Sequence, residues 1–168
     1  EPNPMLHLIV GNTGSGKTTY ANALKSKTKG VLFSIDTWNK TLFLPDKTST
    51  DGLEWFLERI ERSEHIIMNL VQQLEQSNTD SILDLGLSKY AHREKFRQLA
   101  TANNYPLKLH FLDISKETRW QRIQQRNTEK GDTFEFEVTQ ENFNFMQNWF
   151  EPPTAEELVG GIVITEKP

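Results

Sequence analysis

The chain has 168 residues, a formal net charge of -4 and no cysteine. That length suits one domain, or one domain with a small lid, and the missing cysteine excludes a disulfide framework and a thiolate metal site. No apolar run approaches the roughly 18 residues of a membrane span and no signal-peptide pattern is present, so a cytoplasmic protein without membrane contact is expected; the acidic balance disfavours a large nucleic-acid footprint, while leaving room for a local basic groove.

Leu6 to Val10 is a short apolar run that reads as a buried strand. It leads into Gly11-Asn12-Thr13-Gly14-Ser15-Gly16-Lys17-Thr18, which fits the phosphate-loop pattern G-x-x-x-x-G-K-(S/T) at every fixed position. Thr19 to Lys25 contains no breaker and opens a helix. Glycine lets such a loop take conformations that a side chain forbids. Its N–H groups then turn inward as an anion site, reinforced by the positive end of the helix. Gly11 to Thr19 are therefore expected around a nucleotide's phosphates, with Lys17 as a mobile cation. The Thr18 hydroxyl is a hard oxygen ligand suited to Mg²⁺.

Val31 to Ile35 reads as a second strand ending at Asp36, and Trp38 to Asp51 as loop-rich, with Pro45 and a Ser/Thr cluster. Between Gly52 and Gln76 apolar residues recur at helical spacing (Leu53, Phe56, Leu57, Ile60, Ile67, Leu70, Val71, Leu74) and predict one long helix. Ser81 to Leu85 is a third strand, bounded by Gly86. Lys89 to Ala102 is a helix, Leu107 to Leu112 a fourth strand, and Ser115 the N-cap of a helix reaching about Asn127. Thr128 to Glu137 is polar, includes Gly131, and is expected to form a mobile lid. Thr139 to Phe150 is helical, stopped by Pro152-Pro153, and Gly161 to Thr165 is a last short strand. No internal repeat is present.

Strands alternating with helices imply a parallel sheet covered on both faces, joined by right-handed crossovers. Ligands bind such sheets at the carboxyl ends of the strands, which singles out the loop at 11–18, Asp36, Asp84 and Asp113. A carboxylate at Asp36 has the chemistry of a base for an attacking hydroxyl; the alternative is an N-cap for a short segment at 37–43. Asp84 suits the Mg²⁺ shell, or else a turn before Gly86. Arg119, Arg122 and Arg126 are spaced by three and four, so they share a helix face. Three like charges there suit a triphosphate, since guanidinium forks match phosphate oxygens; a solvated charged face is the alternative. Leu85 after Asp84 removes the Asp-Glu pair of many motor ATPases, and Leu42 spoils Asn39-Lys40-Thr41-Leu42 as a guanine-reading N-K-x-D. His65 and His92, each without ligand spacing, are expected to be structural.

These motifs resemble the small P-loop kinases of the zeta-toxin, chloramphenicol phosphotransferase and phage polynucleotide 5′-kinase group, over nearly the whole chain. Gly11 to Thr18 matches the Walker A loop, and Ser34-Ile35-Asp36-Thr37-Trp38 looks like the segment carrying the family's catalytic aspartate. Ser81 to Gly86 is similar to the family's third strand, and Arg122 and Arg126 match the arginines that lead into its lid. The resemblance implies a P-loop kinase-like, three-layer α/β/α domain over 1–168, with a five-stranded, mainly parallel sheet and a small helical lid at 128–137. It implies ATP and Mg²⁺ as cofactors, Thr18 and Asp84 on the metal, and Lys17, Asp36, Arg122 and Arg126 as catalytic residues; Arg119 joins the loop in binding nucleotide. The expected activity is transfer of a γ-phosphoryl group to a hydroxyl of a small molecule. Alternatives are a polynucleotide 5′-hydroxyl kinase and a non-catalytic ATP-binding switch. Relatives that act on polynucleotides often carry a second acid after the aspartate, where this chain has Thr37, which disfavours nucleic acid as the partner.

Overall fold

The computed structural model describes residues 3–130 and 137–166. Five strands, β1 (Leu6–Gly11), β2 (Val31–Ser34), β3 (Ser81–Asp84), β4 (Leu107–Asp113) and β5 (Ile162–Thr165), form one sheet in the order β2-β3-β1-β4-β5. Every pairing is parallel, so the expected mainly parallel sheet is wholly parallel. Among the described residues six α-helices connect and cover it: α1 (Lys17–Thr28), α2 (Ile35–Trp38), α3 (Leu53–Gln76), α4 (Tyr90–Ala102), α5 (Lys116–Glu129) and α6 (Gln140–Trp149).

The alternation of β1 divides the core into layers. Leu6, Leu8 and Val10 pack on one face with Ile67 and Val71 of α3 and with Phe96 and Ala100 of α4. Ile9 points the other way, to Ala21 of α1 and to Ile82, Leu112 and Ile114. Leu8, Ile9 and Val10 are fully buried, and burying such a side chain contributes about 1.5–3 kcal/mol. A third cluster of Ile123, Val138 and Phe143, with Trp120 against it, joins α5 to α6 above the sheet. Ser115 and Thr139 cap these two helices, each side chain accepting from the backbone N–H three residues on (3.2 and 3.1 Å).

The stretch after β2 is more regular than its composition suggests. Ile35 to Trp38 is helical, Asn39–Phe43 continues as a wide π turn, and Leu44–Asp46 closes in a 3₁₀ turn with Pro45 in its first positions. Proline tolerates the start of a helical turn, where its missing N–H costs nothing. Ser34, rather than Asp36, caps α2: its hydroxyl accepts from the Thr37 N–H at 3.5 Å and the Thr37 hydroxyl at 3.2 Å. Of the expected lid at 128–137, α5 takes up Thr128 and Glu129, while residues 131–136 lie outside the described residues. Among the described residues no helix is long and apolar enough to cross a membrane.

Candidate active site

The loop between β1 and α1 hangs at the carboxyl edge of the sheet, on its central strand, where the strand order reverses. Gly14 has φ 82° and Gly16 φ 90°, a region costly to L side chains. A Cβ on Gly14 would also lie 2.7 Å from the Arg119 carbonyl oxygen, so α5 rests directly on the loop. Gly16 is the N-cap of α1, with no side-chain cap and no acid in the first turn. The first N–H groups of α1 are thus left to whatever anion the loop receives.

Lys17 Nζ donates to the carbonyls of Gly11 (2.8 Å) and Asn12 (3.3 Å). Burial lowers its pKa, while the carboxylates of Asp84 and then Asp36 act to keep it charged. Burial pushes Asp84 up to about 6 and nearby Asp36 adds to this; Lys17 and a hydrogen bond with the Thr18 side chain oppose it. Asp84 itself is 8% exposed, at the end of β3, whereas Asp36 is exposed on the first turn of α2. Loop lysine, metal-competent hydroxyl and two carboxylates therefore interact as one electrostatic group.

The three arginines of α5 have separate surroundings. Arg122 Nη1 donates to the Ser15 carbonyl at 3.2 Å. Arg126 is half-buried and its Nε is a buried donor with no partner among the described residues; such a donor costs about 1–3 kcal/mol unless something satisfies it. Arg119 departs from the expectation that it meets the nucleotide. It is buried, with Nε donating to the Ile114 carbonyl (3.0 Å), Nη1 to the Thr13 carbonyl (3.2 Å) and Nη2 to Gln147 Oε1. Gln147 Oε1 also accepts from Asn12 Nδ2 at 3.3 Å. Arg119 is thus a strut that ties the loop to α5 and α6. Burial lowers its pKa against the opposing pull of Glu117 and Asp113.

A cavity of about 490 Å³ brings together most of the singled-out residues: the loop with Lys17, Thr18 and Thr19, the carboxylates Asp36 and Asp84, and Arg122 and Arg126. Gly86, Ser88, Ile123, Val138, Asn142, Phe145 and Met146 complete its lining; Arg119 is absent from it. The sequence reading missed Ser88 and the α6 residues. Gly86 closing a strand marked the first, but nothing local marks which face of α6 turns toward the loop. Among the described residues no three His, Cys, Asp or Glu side chains gather as a metal cluster, so a cation here would lean on Thr18, Asp84 and its own phosphate ligands. The uncapped first turn of α1 and the unpartnered Arg126 Nε both fit a bound polyphosphate.

A family model described as an AAA domain matches residues 6–153. A search of curated proteins found no match. Among solved structures, a putative kinase from Chloroflexus aurantiacus superposes with TM-score 0.70 at 18% identity, over 98% of this chain and 85% of that one. A gluconokinase from Sinorhizobium meliloti 1021 gives 0.63 at 15%, over 100% of this chain and 86% of that one. A chain of the Pnkp1/Rnl/Hen1 RNA repair complex gives 0.65 at 20%, over 89% of this chain; this chain spans only 44% of that longer one. At these identities the likeness is one of fold.

Proposed function

The chain belongs to the AAA_33 family and carries a P-loop kinase-like fold, and from that premise we propose that it moves the γ-phosphoryl of Mg-ATP to a hydroxyl of a small molecule. The observation that carries the reading is the shared cavity, which has a phosphate loop, two carboxylates and two arginines in its lining. Bound Mg-ATP supplies the electrophilic phosphorus and neutralises charge on the leaving phosphates. Lys17 and the loop N–H groups hold the phosphate chain. Thr18 would hold the metal, with Asp84 completing its surroundings. Asp36 accepts the proton of the attacking hydroxyl, and Arg126 and Arg122 offset charge on the transferring group. Catalysis of this kind is mostly positioning and electrostatics. ATP as the donor supports a cytoplasmic setting.

The test is a thermal shift with Mg-ATP on the wild type and on Lys17→Ala, followed by transfer from γ-labelled ATP. Ligand at 100 times its Kd stabilises a fold by about 2.7 kcal/mol. A wild type that does not shift, or a Lys17→Ala protein that shifts as much, rejects the proposal.

A further inference from the structure

The turn that leaves β3 is pinned through its backbone. Gly86 has φ 63° and turns the chain, and Leu85 and Leu87 on either side of it are buried. The Ser88 N–H donates to the Gly86 carbonyl and the Glu151 N–H to the Ser88 carbonyl, both at 2.8 Å. Arg93 Nη1 donates to the Leu87 carbonyl at 3.0 Å. The Ser88 side chain stays outside this network. Ser88 is 9% exposed and lines the cavity of the phosphate loop, yet among the described residues its hydroxyl makes no hydrogen bond. A buried hydroxyl without a partner is unfavourable, and no step of the transfer described above uses it.

The hydroxyl side chains among the described lining residues are those of Thr13, Thr18, Thr19 and Ser88. The three threonines belong to the loop and the first turn of α1, the segment that grips the phosphate chain. In-line displacement brings the nucleophile to the γ-phosphorus from the side opposite the leaving oxygen, a side that groups gripping the leaving phosphates do not occupy. Ser88 comes from a different strand end. It follows Asp84, whose carboxylate acts on Lys17 and bonds with the Thr18 side chain. Since the lysine of such a loop reaches the β- and γ-phosphates, this turn stands at the γ end of the phosphate chain.

Resting on the kinase reading above, we propose that Ser88 is itself a phosphoryl acceptor, modified within the same molecule. The bond from Ser88 Oγ to the γ-phosphorus forms as the bond from that phosphorus to the β,γ-bridging oxygen breaks. ADP leaves with the electron pair, and the hydroxyl proton passes to Asp36. The event is intramolecular because so buried a hydroxyl cannot enter the cavity of a second copy. A nucleophile held beside the reacting group needs no encounter. The resulting phosphoserine brings three strong acceptor oxygens into a lining that carries Lys17, Arg122 and Arg126.

The test incubates the whole chain with Mg-ATP, or with Mg-ADP as control, and follows intact mass; peptide fragmentation places the modification whether or not any variant folds. A single phosphoryl group is expected, on Ser88, with Mg-ATP only. Its first-order rate should hold over about a tenfold range of protein concentration. Ser88→Ala and Lys17→Ala should each lose it, with Ser88→Ala melting like the wild type and binding Mg-ADP within about twofold. Ser88 already phosphorylated in the chain as purified, and bare in purified Lys17→Ala, counts as the same result. A phosphoryl group on another residue instead, or a rate that rises with protein concentration, overturns the inference. An unmodified chain that transfers label from γ-labelled ATP to a compound in a metabolite extract also overturns it and leaves the kinase reading standing. An unmodified chain that binds ATP and labels nothing overturns both.

Discussion

His7 Nδ1 lies 2.9 Å from His110 Nε2, and both rings are buried, in neighbouring strands of the sheet. The contact extends at both ends: His7 Nε2 lies 2.8 Å from the Asp80 carboxylate, and His110 Nδ1 lies 2.6 Å from the Tyr20 hydroxyl. Burial holds the pKa of His110 down at about 4, with His7 and Lys108 adding to the effect.

An unfolded chain takes up a proton at His110 near pH 6.5 and the folded one only near 4. The neutral form's contribution is therefore fully present above about pH 6.5 and is lost as the pH falls toward about 4. Asp84, raised to about 6, acts in the opposite sense over much of the same range, so the comparison must be with a His110→Asn protein that retains Asp84. The stability difference, wild type minus variant, should grow by about 3 kcal/mol between pH 4 and 7. Urea melts of both proteins across that range check it; a flat difference refutes it.

Gln147 receives hydrogen bonds from Arg119 and from Asn12 although it does not line the cavity. Gln147→Ala strands a buried guanidinium N–H and frees the first residue of the loop that follows β1. We expect a loss of about 2 kcal/mol in stability, as for a hydrogen bond to a charged group, and a fall in Mg-ATP affinity of about tenfold. Calorimetric titration measures the second effect. An unaltered Kd would mean that the glycines alone set the loop.

Arg93 and Glu157 form an ion pair with both side chains wholly buried, at 2.7 Å from Nε to Oε1 and 3.4 Å from Nη2 to Oε2. The Leu87 carbonyl takes a further guanidinium N–H at 3.0 Å, and the Thr154 N–H donates to Glu157 at 2.7 Å. Burial acts to raise the carboxyl's pKa, but the bonds from Arg93 and Thr154 outweigh it and hold the pKa low. Glu157→Ala leaves a buried unpaired cation and should cost about 3–5 kcal/mol, whereas the double change Arg93→Met with Glu157→Leu should recover most of it. Chemical denaturation of the three proteins decides between them. If the double variant is no better than the single one, the surrounding backbone bonds, not the unpaired charge, carry the cost.

Asp36→Asn keeps the size and polarity of the side chain and removes the proton acceptor. General base catalysis contributes typically about 10²–10⁴-fold. Single-turnover transfer to an identified acceptor should fall by that order, with ATP affinity within a few-fold. Since Ser34 is the cap of α2, stability should barely move. Near-equal transfer rates would remove Asp36 from the mechanism.

The elements legible in the sequence are those whose apolar pattern is local. Leu6 to Val10 and the periodic stripe of α3 announce a strand and a helix without reference to anything distant, and the phosphate loop is a contiguous motif. Three features escaped for physical reasons. Composition around Pro45 argues for a loop, yet its ring starts a 3₁₀ turn that extends the helical run from Ile35. Spacing puts Arg119, Arg122 and Arg126 on one face but cannot say that the first meets the Ile114 and Thr13 carbonyls, which lie 5 and 106 residues away. The His7–His110 contact joins residues 103 apart, and only the β1–β4 pairing brings them together. A signal was present where a polar side chain was buried. Two histidines interrupt apolar strands, and Arg93 shares the inward face of α4 with Phe96 and Ala100, where only a paired cation is stable.

The strand order has a further consequence for durability. The phosphate loop hangs from β1, flanked on both sides by β3 and β4 and opened only when the whole sheet opens. Asp36 hangs from β2, a four-residue edge strand bonded to β3 alone, with Val31 at its start exposed. Edges fray at lower free energy than centres. Gentle warming or mild denaturant should therefore unseat the carboxylate while the loop keeps its grip, giving a protein that still holds nucleotide but has lost the partner facing it.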